Sequence, residues 1–408
     1  MNNIFPQWPS YSDEEIAGVQ KVLTSNKVNY WTGQECKLFE KEFANWLGVK
    51  YAVSLANGTV ALDLALKALN IKSGDEVIVT PRSFIASASC VLNSGANPVF
   101  VDVDRDSGNI NAKCIELGLS AKTKAIICVH LGGWPCEMDE IMELANRHNL
   151  MVIEDCAQAH GGVYKGRKVG SIGHIAAWSF CQDKIMTTGG EGGMVTTNDY
   201  LLWKSMWSFK DHGKNYESVN QSIPSTGFRW LHDSIGTNWR MMEMQATIGR
   251  IQLKKIKNWT EIRNENAKIL STALEGLESV RLPTKICHSC ENDRQNLYCN
   301  NHQDRGCTNA FYRYYIYLNL EKLSSLWSRE QIIEELNRSG IPCGTGTCPE
   351  IYLENAFNDL SCRPSERFLV ARELGETSIA FLVHPGIDKE KMESMALTAR
   401  KIIMDASK

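Results

Sequence analysis

The chain has 408 residues, more than one core ordinarily organises, and its 43% hydrophobic and 22% charged content with a formal net charge of -3 is that of a folded protein. No basic block points to nucleic acid, and no apolar run approaches the roughly 20 residues that cross a bilayer. The opening MNNIFPQWPSYSDEE has no basic stretch followed by an apolar one, so a cytoplasmic location is expected, with neither nucleic acid nor membrane as partner.

In chain order, YAVSL (51–55), EVIVT (76–80), PVFVDV (98–103), KAIICVHL (124–131) and LMVIEDC (150–156) read as buried strands. TVALDLALKALN (59–70) and EMDEIMELANRHN (137–149) carry helical periodicity between them, and this alternation predicts a largely parallel sheet with helices on both faces. Residues 210–238 are polar and aperiodic and read as a long loop, followed by a helix from about Met241 to Asn264. Beyond it, FYRYYIYLNL (311–320) reads as a strand and SREQIIEELNRSG (328–340) as a helix, both in a smaller α+β region. The predicted organisation is a large domain over 1–250, whose first ~30 residues are expected to pack on a small domain over 251–408. Of fourteen cysteines, most, such as Cys90, Cys114, Cys128 and Cys156, lie singly in apolar or helical segments and read as reduced, small hydrophobes.

Ligands of such sheets gather beyond the carboxyl ends of the strands, and four features stand there. Asn57-Gly58-Thr59 falls at a strand-to-helix junction, where free amides and the helix dipole suit a phosphate; the ordinary alternative is a helix cap. Phe84 follows the second strand and can lie on a ring face, although a lone aromatic is more often core. Glu154 and Asp155 close another strand, and because period-2 alternation turns only one toward the ligand side, Asp155 is taken as an acid that keeps a heterocyclic nitrogen protonated. Lys184 lies between the strand-like WSF (178–180) and a glycine-dense turn, where an amine can bond an aldehyde; most lysines after strands are solvated charges. Together the four describe a site for pyridoxal 5′-phosphate (PLP).

The sequence resembles the DegT/StrS-type sugar aminotransferases, a branch of the fold-type-I PLP enzymes, over nearly its whole length. The motifs that carry the resemblance are GDEVIVTPRSFIASASCVLNSGANPVFVDVD (74–104), VIEDCAQAHGGVYKGRKVGSIGHIAAWSF (152–180), SFCQDKIMTTGGEGG with one additional glycine, and GTNWRMMEMQATIGRIQL (236–253). The resemblance implies an α/β fold with a mostly parallel mixed sheet in the large domain. It places Lys184 at the Schiff-base position, Asp155 on the pyridine nitrogen, Phe84 on the ring face, Gln158 near the phenolic oxygen, and Ser179 on the phosphate. Asn238 would reach the cofactor phosphate of a neighbouring subunit, which implies a homodimer with shared active sites. Relatives that remove a hydroxyl carry His at the lysine position, so Lys184 argues for transamination; the resemblance implies L-glutamate as donor, the pyridoxamine form (PMP) as carrier and a keto-sugar as acceptor, nucleotide-linked by family analogy. A keto-sugar acid as acceptor, another PLP reaction, and a PLP-binding regulatory protein are the alternatives.

Two segments depart from the pattern. GIPCGTGTCPEIYLENAF (340–357) lacks the Tyr-x-Pro-x-His-like arrangement of many family members, so no particular hexose carries over. The loop cations Lys210, His212, Lys214, Arg229 and His232 are candidates for a diphosphate or carboxylate, with a solvated face as the equal alternative. The stretch CHSCENDRQNLYCNNHQDRGC (287–307) offers Cys287, Cys290, Cys299 and Cys307, with His288 and His302 as substitutes, as a candidate structural Zn2+ site, against free thiols in a surface loop.

Overall fold

The protein is described from a computed structural model, which covers residues 5–221, 227–283 and 306–408. The strands in chain order are β1 (Tyr51–Leu55), β2 (Glu76–Val79), β3 (Asn97–Phe100), β4 (Thr123–Val129), β5 (Met151–Asp155), the short hairpin β6 (Val163–Tyr164) and β7 (Arg167–Lys168), β8 (Ile175–Ser179) and β9 (Gly193–Thr197). Seven of them form one sheet in the order β1-β9-β8-β5-β4-β2-β3. The pairs from β8 to β3 are parallel, and β9 runs antiparallel between β1 and β8. The sheet is therefore mixed and mostly parallel, as expected for a chain that alternates strand and helix.

Strand alternation divides the core between the two faces of the sheet. Ile78, Ile126, Cys128 and Val152 enter one cluster. Val77, Val79, Ala125, Ile127, Val129 and Ile153 enter the other. Cys90, Cys128 and Cys156 are fully buried, as small hydrophobes should be, while Cys114 is only half-buried against the core.

A second sheet, antiparallel throughout, has the order β10-β11-β13-β12, with β10 (Val280–Arg281), β11 (Tyr314–Leu318), β12 (Cys343–Gly344) and β13 (Ser378–Phe381). Its own core joins these strands to the helices Ile256–Leu274, Arg329–Arg338 and Lys389–Asp405. The N-terminal segment packs across both parts: the Trp8 ring meets Trp259 edge-on at 5.0 Å and stacks on His384 at 5.6 Å, and Trp8 Nε1 donates to the Lys184 carbonyl at 2.8 Å.

Three boundaries differ from the sequence reading. The helix expected from about Met241 to Asn264 is two helices, Glu243–Leu253 and Ile256–Leu274, and the break at Lys254–Lys255 lets Lys255 Nζ reach Glu15 at 2.8 Å. The strand expected from Phe311 begins at Tyr314, because Phe311 sits at φ 44°, a left-handed backbone that no ladder accepts. The expected 98–103 strand pairs only to Phe100, although Val101 and Val103 stay buried.

His160 lies on the core side of the sheet between Trp178 (5.2 Å) and Phe180 (5.5 Å), with no hydrogen-bond partner on either ring nitrogen. Burial, with the charges of Lys184 and Arg263, lowers its pKa to about 3. An unfolded His titrates near 6.5, so the unfolded chain takes up this proton first as pH falls. The stability that neutral His160 contributes is thus complete above about pH 6.5 and is lost between there and pH 3. Denaturant midpoints measured from pH 7 to pH 4 should fall less steeply for His160→Phe than for the parent; parallel slopes would refute the assignment.

Candidate active site

Strand register builds the first half of the site. Gly193 at the start of β9 pairs with Leu55 at the end of β1 on one side and with Ser179 at the end of β8 on the other. The chain leaves β1 through Asn57, whose side chain caps the helix Gly58–Ala68 by accepting from Val60 N–H at 3.0 Å. A Cβ on Gly58 would stand 2.6 Å from Ser179 Cβ, and one on Gly193 would stand 2.2 Å from the Asn57 carbonyl oxygen. Only glycine fits at either place, and the result is a helix N-terminus brought against a serine, with Thr59 exposed beside it. Free amides and the dipole of an 11-residue helix suit that cradle to an anion such as a phosphate.

The two acids of β5 point opposite ways. Glu154 accepts from the N–H groups of Gly170, Ile172 and Gly173 and meets His130 Nε2 at 3.1 Å. These bonds and His130 outweigh burial and hold its carboxyl below the usual range, so Glu154 organises the loop after β7. Cys156 lies beside this pair, but a carboxylate so occupied has little left for an ion. Asp155 accepts from Ser87 Oγ at 2.8 Å and from Ala157 N–H at 3.1 Å. Burial pushes its carboxyl up against those bonds and the charge of Lys184. It is a buried acid short of a counter-charge, and a protonated ring nitrogen would supply one.

Lys184 ends in a cavity of about 500 Å³ whose walls include Ser83, Phe84, Gln158, Tyr312 and Tyr315. Gly189 and Gly190, at φ 88° and 130°, return the chain toward β9 in a conformation that side chains disfavour. Phe84 is 66% exposed, a large apolar side chain left uncovered on the cavity wall. Gln158 Oε1 accepts from Gly132 N–H at 2.7 Å, which fixes the amide at the cavity floor. Lys184 Nζ stands 3.4 Å from Asp183 Oδ1 and 5.1 Å from the Tyr312 ring centroid, and the Tyr312 hydroxyl donates to Asp183. Burial alone would lower the lysine, but Tyr312 and Asp183 raise it above its ordinary value. An amine that is to bond an aldehyde must be neutral, and the chain by itself does the reverse because Tyr312 and the next-door carboxylate together outweigh desolvation.

The loop candidates do not join this cavity. Lys210 is corrected outright: its Nζ is fully buried 3.7 Å from the Tyr30 ring centroid and 3.6 Å from Glu40, out of reach of a substrate. Its positive charge suggested an exposed cation, but it closes the helix Tyr200–Lys210, whose last turn faces the core. Arg229 donates to the Ser218 carbonyl, while His212, His232 and Asn238 are exposed. Of the zinc candidates, Cys287, Cys290 and Cys299, with His288 and His302, lie outside the described residues. Cys307 is buried, its sulfur accepting from Lys165 N–H at 3.2 Å. Nothing among the described residues supports a zinc site there. Sequence reasoning missed Asp183, Tyr312 and Ser87: Asp183 adjoins the lysine and was readable, whereas Tyr312 arrives from the segment that leads into β11, far along the chain.

A mixed seven-stranded sheet, a glycine-bounded helix N-terminus, a buried acid and a lysine at one strand edge define a fold-type-I PLP-dependent transferase. The model of the DegT/DnrJ/EryC1/StrS aminotransferase family matches residues 9–398. The chain is 42% identical over 277 residues to the GDP-perosamine synthase of Escherichia coli O157:H7, covering 68% of this chain and 73% of that protein. It is 38% identical over 275 residues to the spore coat polysaccharide biosynthesis protein SpsC of Bacillus subtilis, covering 67% and 70%. The solved aminotransferase from Psychrobacter cryohalolentis superposes with a TM-score of 0.93 at 53% identity, covering 99% of this chain and all of that one. The chain belongs to the DegT/DnrJ/EryC1/StrS aminotransferase family and is a transaminase.

An amine must be neutral to bond an aldehyde, so the raised pKa of Lys184 governs loading. Asp183→Asn removes the neighbouring carboxylate and lowers the lysine. The pH–rate profile for PLP uptake by the cofactor-free protein, followed by absorbance, should move to lower pH; an unmoved profile would mean that Asp183 does not set the lysine's charge.

Proposed function

We propose that this aminotransferase moves an amino group from L-glutamate to the carbonyl of a nucleotide-linked keto-sugar, for surface polysaccharide or a related glycan, and that Lys184 and Asp155 carry the chemistry. The observation that carries this reading is that Lys184, Phe84 and Gln158 line one cavity, whose Ser83 is linked through Ser87 to the under-compensated Asp155 carboxyl. The sugar acceptor is supported by relatives whose names are a GDP-perosamine synthase and a spore coat polysaccharide protein.

Bound PLP supplies an aldehyde carbon that carries the amino group between substrates and a ring that accepts the electron pair left at the donor Cα. Lys184 Nζ takes the proton from the donor Cα and returns one to the acceptor carbon. Asp155 keeps the ring nitrogen protonated, because its buried carboxylate gains the cation that it otherwise lacks. Asn57, Gly58, Thr59 and Ser179 hold the phosphate, Phe84 covers the ring, and Gln158 holds the phenolic oxygen.

The working unit in this reading is a homodimer in the cytoplasm, with Asn238 of a second copy completing each phosphate cradle. Phe228 (80% exposed), Trp230 (88%) and Ile235 (90%) stand on the loop that carries Asn238, an apolar surface that a second copy would cover. The described cysteines other than Cys307 form no disulfides, which suits a reducing compartment, and no described helix is long and apolar enough to cross a membrane.

L-glutamate added without acceptor should bleach the visible band of the PLP-loaded protein to that of the pyridoxamine form, and Lys184→Ala should abolish the change. A persistent band in the parent rules out glutamate as donor.

Shared sites have a second signature. Co-expressed Lys184→Ala and Asn238→Ala chains should recover about one quarter of the parent's sites, because each mixed dimer keeps one intact site. Activity no greater than the separate variants would place Asn238 in its own chain's site.

A further inference from the structure

The turn that leaves β2 is pinned on both sides of Arg82. Arg82 N–H donates to Thr80 Oγ1 at 3.2 Å, the Pro81 carbonyl accepts from Ile351 N–H at 2.8 Å, and Ser83 bridges to Cys348. Ser83 and Phe84 go on to line the Lys184 cavity, but the Arg82 side chain turns inward. Arg82 is 1% exposed, and none of its three guanidinium nitrogens has a hydrogen-bond partner or ion pair among the described residues. The acids of the adjoining loop are engaged elsewhere: Asp104 Oδ1 accepts from the N–H groups of Asp106 and Ser107 and from Ser107 Oγ, and Asp106 pairs with Arg281 at 3.5 Å. Nor does a phenolate answer the charge, since burial pushes the Tyr315 hydroxyl up to about 12 against the pull of Arg82.

Beside this guanidinium, a cavity of about 20 Å³ lies at the seam between the large sheet and β11, with Ser107 and Leu131 on one side and Tyr315 and Tyr317 on the other. A Cβ built on Gly108 would stand 3.1 Å from Arg82 Nη1, 3.6 Å from Leu131 Cδ2 and 3.6 Å from Tyr317 Oη. A guanidinium nitrogen and a hydroxyl thus face one point at the edge of the cavity. Arg281 lies over the Tyr317 ring at 4.3 Å and adds a second positive charge, its Nη2 also without a hydrogen-bond partner among the described residues.

A buried guanidinium whose charge is unanswered is costly, and water satisfies an N–H without supplying a charge. We propose that the seam binds one small inorganic anion of the halide class, held by Arg82 Nη1 and the Tyr317 hydroxyl. Size selects the class. A cavity of roughly 10–15 Å³ holds one water-sized particle, so this one has room for a halide and none for a carboxylate, phosphate or sulfate. Bound there, the anion ties the turn that carries Phe84 to the second sheet, and it stabilises only the folded chain, because unfolding separates Arg82 from Tyr317.

The test compares the thermal midpoint of the PLP-loaded protein in sodium chloride, sodium bromide and sodium gluconate at constant ionic strength. Chloride and bromide should raise the midpoint saturably, by about 2 °C or more over gluconate. Arg82→Met should lose the rise, and Tyr317→Phe, which removes one donor, should need several-fold more chloride to reach half of it. Crystals of the parent grown in bromide should show an anomalous peak against Arg82 Nη1, which decides the question where Arg82→Met does not fold. Equal parent midpoints in chloride and gluconate, a rise that Arg82→Met retains, a Tyr317→Phe curve identical to the parent's, or no bromide at Arg82 each overturns the proposal.

Discussion

The site depends on a steric constraint at Gly193. Two strands that run the same way, β1 and β8, are held apart by the antiparallel β9, and their carboxyl ends meet across its first residue. Any side chain at Gly193 would displace the Asn57 carbonyl, and any at Gly58 would displace Ser179. The helix after β1 therefore starts against the end of β8, and the segment that follows β8 carries Lys184. The helix N-terminus and the segment that carries the lysine are positioned by one strand junction, so the first fixes where the second begins.

Much of this was legible because it is local. A strand followed by Asn-Gly-Thr, an acid pair at a strand end and a lysine before glycines each report their own place at the sheet edge, and alternation alone separates Asp155 from Glu154. What was not legible arrives from far along the chain. Tyr312 and Arg313 come from the segment just before β11 and Trp8 from the N-terminal segment, and no period or spacing near Lys184 announces them. Lys210 failed for a related reason. A loop rich in cations suggests an anion site, but the last turn of the helix that precedes it faces Tyr30 and Glu40, and tertiary packing overrode the local charge pattern.

The lysine's charge shows why neighbours matter more than burial. Desolvation acts on Lys184 and Asp183 in the directions that discharge each, and their mutual attraction reverses both. Asp155 has a hydroxyl and an N–H but no cation close enough to do the same, so burial prevails there. The chain thus keeps a charged lysine on the cavity and, linked to its wall through Ser87 and Ser83, an under-compensated acid. Lys184 would hold the PLP aldehyde and Asp155 would face the ring nitrogen, whose proton would supply the cation that the buried carboxyl lacks.

Trp8 ties the N-terminal segment to the lysine turn. Its indole N–H donates to the backbone of Lys184, and its ring lies on His384 and beside Arg263, so the turn that carries the lysine is braced by the same residue that packs on Arg263. Arg263 has no ion pair among the described residues and relies on that ring and on the Phe311 carbonyl, so loss of the indole would loosen the lysine turn and strip a buried guanidinium of its compensation together.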